Sequence, residues 1–400
     1  MKIDAYSVLI ILSILVVLSY SYNYLASKLK IPSVLLLIAS GIGLKLAADY
    51  YSLTLPQTQT VLEILGVTGL IFIVLEASLD LKIQRNKLRL IGMSFLSALI
   101  LLFVTSGLIA LIFTSYYGVD FNRALIHAIP LSVISSAIAI PSVSNMAVDK
   151  KEFIIYESTF SDILGIIAFN YFIADHVSGF SAIASFSWDL VMIFFISIVS
   201  SVSLIFLLNH VTTHVRFFLT FAVIILAYSL AKFLHLPSLI LVLCFGVVLN
   251  NFKLFNHPLV HRFLSVDKLA DVAKELKLMT AETAFIIRTF FFLLFGYSMN
   301  LALLKTQEVI ITGLAIIALT IFLRFTFLKY MLKIKSTPLA LIAPRGLIAI
   351  LLFYSIPPAQ RMEQLSEGVL FIVIVLTSLM MTVGLLINKQ GVNEKIEDVI

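Results

Sequence analysis

Apolar runs about as long as a lipid bilayer is thick recur thirteen times along this chain, and nothing else constrains its fold as strongly. They lie near residues 5–24, 31–48, 60–80, 90–115, 123–147, 153–174, 188–209, 216–234, 236–251, 281–303, 308–331, 337–356 and 367–387. Hydrocarbon offers no water to an exposed N–H or C=O, so segments of this kind must be helices that satisfy their own main chain. A 400-residue chain that is 60% hydrophobic and only 12% charged also has too little polar surface for a water-soluble domain. The expected fold class is therefore an all-α polytopic membrane protein of about 13 transmembrane helices. The first run is too long for a signal peptide and lacks a small-residue cleavage site, so it reads as a permanent span. The single cysteine, Cys244, excludes an internal disulfide framework and any cysteine-based metal cluster.

Basic residues choose the orientation. Of 28 Lys and Arg, 19 fall in one set of loops and 6 in the other, while Arg288, Arg324 and Arg345 lie inside spans. The positive-inside rule then puts the N-terminus outside and the C-terminus in the cytoplasm of a cell membrane, inner or plasma. That asymmetry accounts for the positive net charge without a nucleic-acid partner. The longest connection, 252–280, alternates apolar residues such as Leu264, Leu269 and Leu276 with Asp267, Lys268, Asp271 and Lys274. It reads as an amphipathic helix on the cytoplasmic membrane surface. The stretch 389–400 is a short cytoplasmic tail.

Two stretches repeat. Ile31-Pro32-Ser33-Val34-Leu35-Leu36 matches Leu236-Pro237-Ser238-Leu239-Ile240-Leu241, and Gly41 matches Gly246 at the same offset. The following spans match more weakly, Leu75–Leu81 against Phe295–Leu301. Each pair is seven spans apart, so the two copies face opposite ways across the membrane. The reading is a first repeat over 1–187, a linking span over 188–215 and a second repeat over 216–388. Inverted repeats mark secondary transporters, whose sites form near the midplane from interrupted helices in corresponding positions. Here those are the fifth span, with Pro130 and Pro141, and the twelfth, with Pro344, Arg345 and Gly346. Pro141, Pro344 and Gly346 are the expected helix breaks, because a proline removes one backbone bond and frees a carbonyl.

Between these spans in the chain lies Glu157-Ser158-Thr159-Phe160-Ser161-Asp162, in the middle of an apolar run. A carboxylate at membrane depth is costly and marks an ion or proton path by default. Asp162 shares a helix face with Ser158, and Ser158 with Ser161, which places oxygen ligands together for a hard cation. Glu76, Glu157, Arg288, Arg324 and Arg345 fall at similar depth when the spans are laid out at the helical rise. Buried charges need partners, so Glu76, Glu157 and Arg345 are read as an ionic network, completed by Arg288 or Arg324. The same charges can be read more plainly as ties between helices. Asp162 sits deeper, with no acidic neighbour nearby in its own span, and is left to exchange a cation for a proton.

At these residues the chain resembles the monovalent cation:proton antiporter superfamily, in its sodium/hydrogen exchanger (NhaP-like) branch. ESTFSD from Glu157 resembles the family's E-S-x-x-N-D motif, and GLIFIVLEASLDL from Gly69 its G-L-x-x-x-x-F-E-x-G-L segment. RTFFFLLFGYSMN from Arg288 and PRGLIAI from Pro344 resemble its phenylalanine-rich and Arg-Gly segments. The resemblance implies a sodium/proton antiporter fold with two crossed, broken helices, a homodimer, and alternating access. It implies that Asp162 carries cation and proton in turn, with Ser158 as a cation ligand and Glu157, Glu76 and Arg345 in support. The transported ions would be H+ and Na+, with Li+ or K+ as further candidates, and no cofactor is expected. Two departures matter. Ser161 stands where this branch usually has Asn, and the single carboxylate suggests one cation for one proton. The fifth-span Thr-Asp-Pro motif reads here as Ala139-Ile140-Pro141, which leaves backbone oxygens near Ala139, with Ser135 or Ser136, to complete the site. Rival readings are a K+/H+ exchanger or other ion transporter on the same scaffold, a channel, and an intramembrane enzyme. The enzyme lacks a convergent nucleophile–base or metal set: His127 stands alone, and His257 and His261 lack a third ligand.

Overall fold

The computed structural model describes residues 5–387 apart from 30, 52–57, 82, 84–86, 144–145, 174–187, 189–190, 193–194, 204–205, 207–215, 234–237, 252–265 and 334–336. Most of the expected linking span, residues 252–265 of the expected surface helix and the tail 389–400 thus lie outside the described residues. Among those described, the chain is helical throughout. In order it forms α1 (Ala5–Leu29), α2 (Ser33–Tyr50), α3 (Thr58–Asp80), α4 (Leu88–Tyr117), α5 (Phe121–Ser132), α6 (Ser136–Ser142) and α7 (Val148–Ile173). There follow α8 (Arg216–Phe233), α9 (Ser238–Asn250), α10 (Val266–Ser298), α11 (Gln307–Thr326), α12 (Thr337–Leu341), α13 (Leu347–Tyr354) and α14 (Glu367–Ile387). Six described segments are long and apolar enough to cross a membrane: 33–50, 88–117, 121–142, 273–298, 307–331 and 367–387.

Two expected spans are interrupted. The fifth is α5 and α6 around an extended Val133–Ser135, and the twelfth is α12 and α13 around 342–346. The surface helix differs from expectation. Residues 266–280 do not form a helix of their own but run unbroken into the tenth span as the 33-residue α10. Nothing between Val266 and Ser298 breaks a helix, since no proline occurs there and the one glycine, Gly296, stands near its end.

Packing divides the chain into two compact units, each drawing on both halves of the sequence. One comprises Met1–Val67, Leu90–Gly165 and Ile286–Ile400; the other comprises Thr68–Arg89 and Ile166–Phe285. In the first, α2 and α10 approach backbone to backbone. A Cβ on Gly41 would lie 2.1 Å from the Leu293 carbonyl oxygen, and one on Gly296 would lie 2.3 Å from that of Ile38. Ser19 and Thr289 share a 2.6 Å hydrogen bond in the same unit. In the second, Gly246 of α9 lies against α3, where a Cβ would meet the Ser78 hydroxyl at 1.8 Å. Small residues let membrane helices pack this closely where apolar burial gives no driving force. Asn251 closes the end of α3: its Oδ1 accepts from Ile83 N–H at 2.8 Å and its Nδ2 donates to the Leu81 carbonyl at 2.7 Å. Lys277 pairs with Asp80 beside it.

Gly41→Ala should lower thermal stability in detergent by about 1–3 kcal/mol, because the obstructing atom belongs to a helix backbone that cannot rotate away. Gly107→Ala, with nothing within 4 Å of the new methyl, is the matched control and should leave the melting curve unchanged or slightly raised. Equal loss in both variants would show that the α2–α10 approach is not what the glycine permits.

Candidate ion site between two broken helices

All of the site described here belongs to the first unit. Its centre is α7. Glu157, Ser158, Ser161 and Asp162 are each at most 3% exposed, as helical spacing on one side of an apolar helix predicts. The Ser158 hydroxyl donates to the Ile155 carbonyl of its own helix at 3.3 Å. Ser161 and Asp162 instead reach the interruption of the fifth span.

That interruption lies earlier than the sequence suggests. Pro141 is inside α6, not at the break, and Ala139 is an ordinary helical residue whose carbonyl accepts from Val143 N–H at 3.1 Å. Ala139 is not at an open helix end, and Pro141 stands one residue before the end of α6, away from the interruption that faces Asp162. Pro141 is tolerated because the carbonyl it leaves free, that of Ala137 four residues back, accepts from Arg288 Nη1 at 3.3 Å. The chain opens at Val133–Ser135, and side chains and the second break satisfy three consecutive N–H groups there. Ile134 N–H donates to Ser161 Oγ at 2.9 Å, Ser135 N–H to the Pro344 carbonyl at 2.9 Å, and Ser136 N–H to Asp162 Oδ2 at 3.1 Å. Pro344 and Gly346 do lie in the interruption of the twelfth span, and the Ser135–Pro344 bond ties the two breaks together.

Arg345 closes the opposite helix ends. Its Nε donates to the Leu131 carbonyl at 2.9 Å and its Nη2 to that of Ser132 at 3.2 Å, both in the last turn of α5. Its Nη1 donates to the Ala343 carbonyl at 2.7 Å, and its own N–H donates to Thr377 Oγ1 of α14 at 3.1 Å. These are the carbonyls that a helix end leaves unbonded. Glu157 is bonded not by Arg345 but by Arg324, one of the two arginines expected to complete the network. Arg324 of α11 grips it with both terminal nitrogens, at 2.8 Å and 2.6 Å, and Ser97 of α4 donates to Oε1 at 2.5 Å. Arg324 Nε also donates to the Leu339 carbonyl in α12 at 3.0 Å. Paired, bidentate and fully bonded, this is the form in which charges survive burial. A cavity of about 10 Å³, the size of roughly one water, opens between Arg324, Arg345, Ser132 and Ser161. Glu76 is half-buried in α3, in the second unit.

The remaining sequence candidates resolve simply. His127 is buried, with Nδ1 2.9 Å from the Arg123 carbonyl and Nε2 accepting from Met362 N–H at 3.1 Å, so it serves as a main-chain tie. Among the described residues no three His, Cys, Asp or Glu converge on a metal position. Ser97 and Thr377 were not singled out in the sequence. Ser94, Ser97, Ala98, Leu101 and Thr105 do recur at helical spacing on one buried face of α4, a stripe of small and polar residues that marks a packed surface. No comparable signal distinguishes Thr377.

Removing one partner of a buried pair leaves the other charge uncompensated. Glu157→Ala and Arg324→Ala should each cost about 3–5 kcal/mol in a detergent unfolding series, and the double variant less than their sum. Additive losses would mean the two side chains act independently.

A family model described as "sodium/hydrogen exchanger, transmembrane" matches residues 11–389. Two solved structures of the sodium proton antiporter MjNhaP1 from Methanocaldococcus jannaschii share the fold. One, at pH 8, has 17% identity and a TM-score of 0.67, covering 95% of this chain and 97% of its own. The other, an electron-microscopy structure, has 18% identity and a TM-score of 0.64, covering 97% and 96%. No curated protein sequence matches.

Proposed function

The chain belongs to the sodium/hydrogen exchanger family, a family of transporters and not of enzymes, and we propose that it exchanges one monovalent cation, Na+, for one proton, with Asp162 as the shared carrier. The observation that carries this reading is the state of the Asp162 carboxylate. It is 3% exposed, one oxygen is held by Ser136 N–H, and the other is buried without a hydrogen-bond partner. A buried carboxylate of this kind is costly unless a positive charge meets it. A proton and a monovalent cation each bring one such charge, and one carboxylate accepts one of them at a time. Exchange is then electroneutral by arithmetic.

The other ionised groups around it support this assignment. Glu157 is committed to Arg324, and Arg345 to the end of α5, so neither pair competes for the transported ion. Ser158 and Ser161 flank Asp162 on α7 and supply hydroxyl oxygens of the type a hard cation takes. Among the described residues, the two breaks are tied to each other by a single main-chain bond, Ser135 N–H to the Pro344 carbonyl, and interrupted elements of this kind absorb a change of access from one side to the other. The N-terminus outside, the C-terminus in the cytoplasm of the cell membrane, the inverted repeat and a homodimeric assembly belong to the same proposal. The repeat draws support from Gly41 and Gly246, matched in sequence and each set against a neighbouring helix.

The test is purified protein in liposomes with an imposed pH gradient and a pH-sensitive dye inside. Sodium should collapse the gradient through the wild type, and Asp162→Asn should reduce the rate to that of empty liposomes. Clamping the membrane potential with potassium and valinomycin should leave the sodium-driven rate unchanged. Exchange surviving in Asp162→Asn would falsify the carrier assignment, and a rate that follows the clamped potential would overturn the one-for-one stoichiometry.

A further inference from the structure

α6 is seven residues long, and its first turn carries the bond that holds the carboxylate, from Ser136 N–H to Asp162 Oδ2. A helix this short fixes its own position poorly, because most of its main-chain groups lie at an end and lack an internal partner. Where α6 sits is thus decided by what grips it from outside. Pro141 strengthens this dependence. An ordinary residue there would donate its N–H to the Ala137 carbonyl four positions back; proline has no N–H, so the carbonyl is left to a donor from elsewhere. Arg288 Nη1 of α10 supplies that donor at 3.3 Å. Ala137 is buried and directly follows Ser136, so the guanidinium grips the same turn that meets Asp162.

The part of α10 that carries Arg288 is itself pinned. Thr289, the next residue, shares its 2.6 Å hydrogen bond with Ser19 of α1. Further along, the Leu293 carbonyl lies where a Cβ on Gly41 would be, at 2.1 Å, and Gly296 sits equally close to the Ile38 carbonyl. Both obstructing atoms are main chain, so this segment of α10 cannot shift against α2 without parting the two helices. Arg288 therefore ties α6 to a fixed frame. Its bond to the Ala137 carbonyl is charge-assisted, stronger than a neutral one, and its loss uncovers a carbonyl at membrane depth.

Resting on the proposed carrier role of Asp162, we infer that Arg288 is a positioning residue for ion exchange: through the Ala137 carbonyl it sets where Ser136 N–H meets Asp162, and so how tightly the carboxylate takes Na+. Pro141 is the other half of the arrangement. Its part is to turn a bond internal to α6 into one made from α10, so that the first turn of α6 follows α10 and not its own ladder. The two residues then act as a unit. A role for Arg288 as a charge would need only a cation at position 288, whereas the positioning role needs Pro141 as well.

The experiment is a double-mutant cycle of Arg288→Ala and Pro141→Ala in the full-length protein, with Asp162→Asn beside it. Two quantities are read: the apparent KM for Na+ in liposomes and the melting temperature in detergent. Pro141→Ala supplies the N–H that the Ala137 carbonyl otherwise takes from Arg288, so it should make the arginine dispensable. With Pro141 in place, Arg288→Ala should raise KM about tenfold and lower the melting temperature. In the Pro141→Ala background the same change should raise KM less than about twofold and leave the melting temperature unchanged. Equal rises in KM in both backgrounds overturn the inference, since an effect of charge, or of any other contact of Arg288, does not depend on residue 141. So does Arg288→Ala with an unraised KM, whatever its melting temperature. Should Arg288→Ala fail to fold, the double variant decides: one that folds and exchanges like Pro141→Ala supports the inference, and one that also fails to fold overturns it. Failure of the cycle beside an inactive Asp162→Asn leaves the carrier reading standing. Exchange that persists in Asp162→Asn overturns the carrier reading and this inference with it.

Discussion

Everything about this site follows from one constraint: a helix interrupted inside hydrocarbon must find partners for the main-chain groups it uncovers. The two breaks solve this together. Three N–H groups of the first break are bound to Ser161, Pro344 and Asp162, and the carbonyls at the end of α5 are bound to Arg345. No water is needed for any of these bonds. Residues that would otherwise be read only as ion ligands are thus also the joinery of the fold. In the proposed cycle, movement at the site and exchange of its ligand are coupled without a further device, because the carboxylate proposed to meet the ion also holds the start of α6.

The charges obey the same economy. Arg324 and Glu157 neutralise each other at close range, with Ser97 and the Leu339 carbonyl filling further bonding positions. Arg345 faces carbonyls and no carboxylate within its hydrogen bonds, so its charge is met by the partial negative charge of a helix end. Asp162 is the group whose needs the fold meets only halfway, and it is the one proposed to change partners. A site in which every buried polar atom were satisfied would have no reason to take up an ion.

Backbone packing supplies the frame. Gly41, Gly296 and Gly246 mark places where two helices come together with no room for a methyl group. Such contacts resist bending, since the obstructing atoms at Gly41 and Gly296 are main-chain carbonyls. In both units a glycine of a short apolar helix, α2 or α9, seats against a longer one, α10 or α3. The same packing solution appears in the two parts of the chain that also resemble each other in sequence.

Much of this was legible from residue order alone. Length and hydropathy of the runs require membrane-spanning helices, because the bilayer has a thickness and a helix has a rise. Glu157, Ser158, Ser161 and Asp162 declare themselves by being polar at depth on one helix, and Pro344 with Gly346 marks the second break. What residue order could not decide was who meets whom. Arg324 and Arg345 sit at similar depth, and their roles part only when the ends of α5 and α12 are brought beside them. The fifth-span break was misplaced because a proline is a local signal, whereas a helix opens where its freed groups find better partners. Arg288 covers the carbonyl that Pro141 exposes, and α6 ends one residue beyond that proline, at Ser142. At Val133–Ser135 no proline stands in the chain, yet Ser161, Asp162 and Pro344 draw the N–H groups away. Local chemistry determined that this chain crosses a membrane with a carboxylate at depth, and tertiary contacts decided which atoms that carboxylate would be offered.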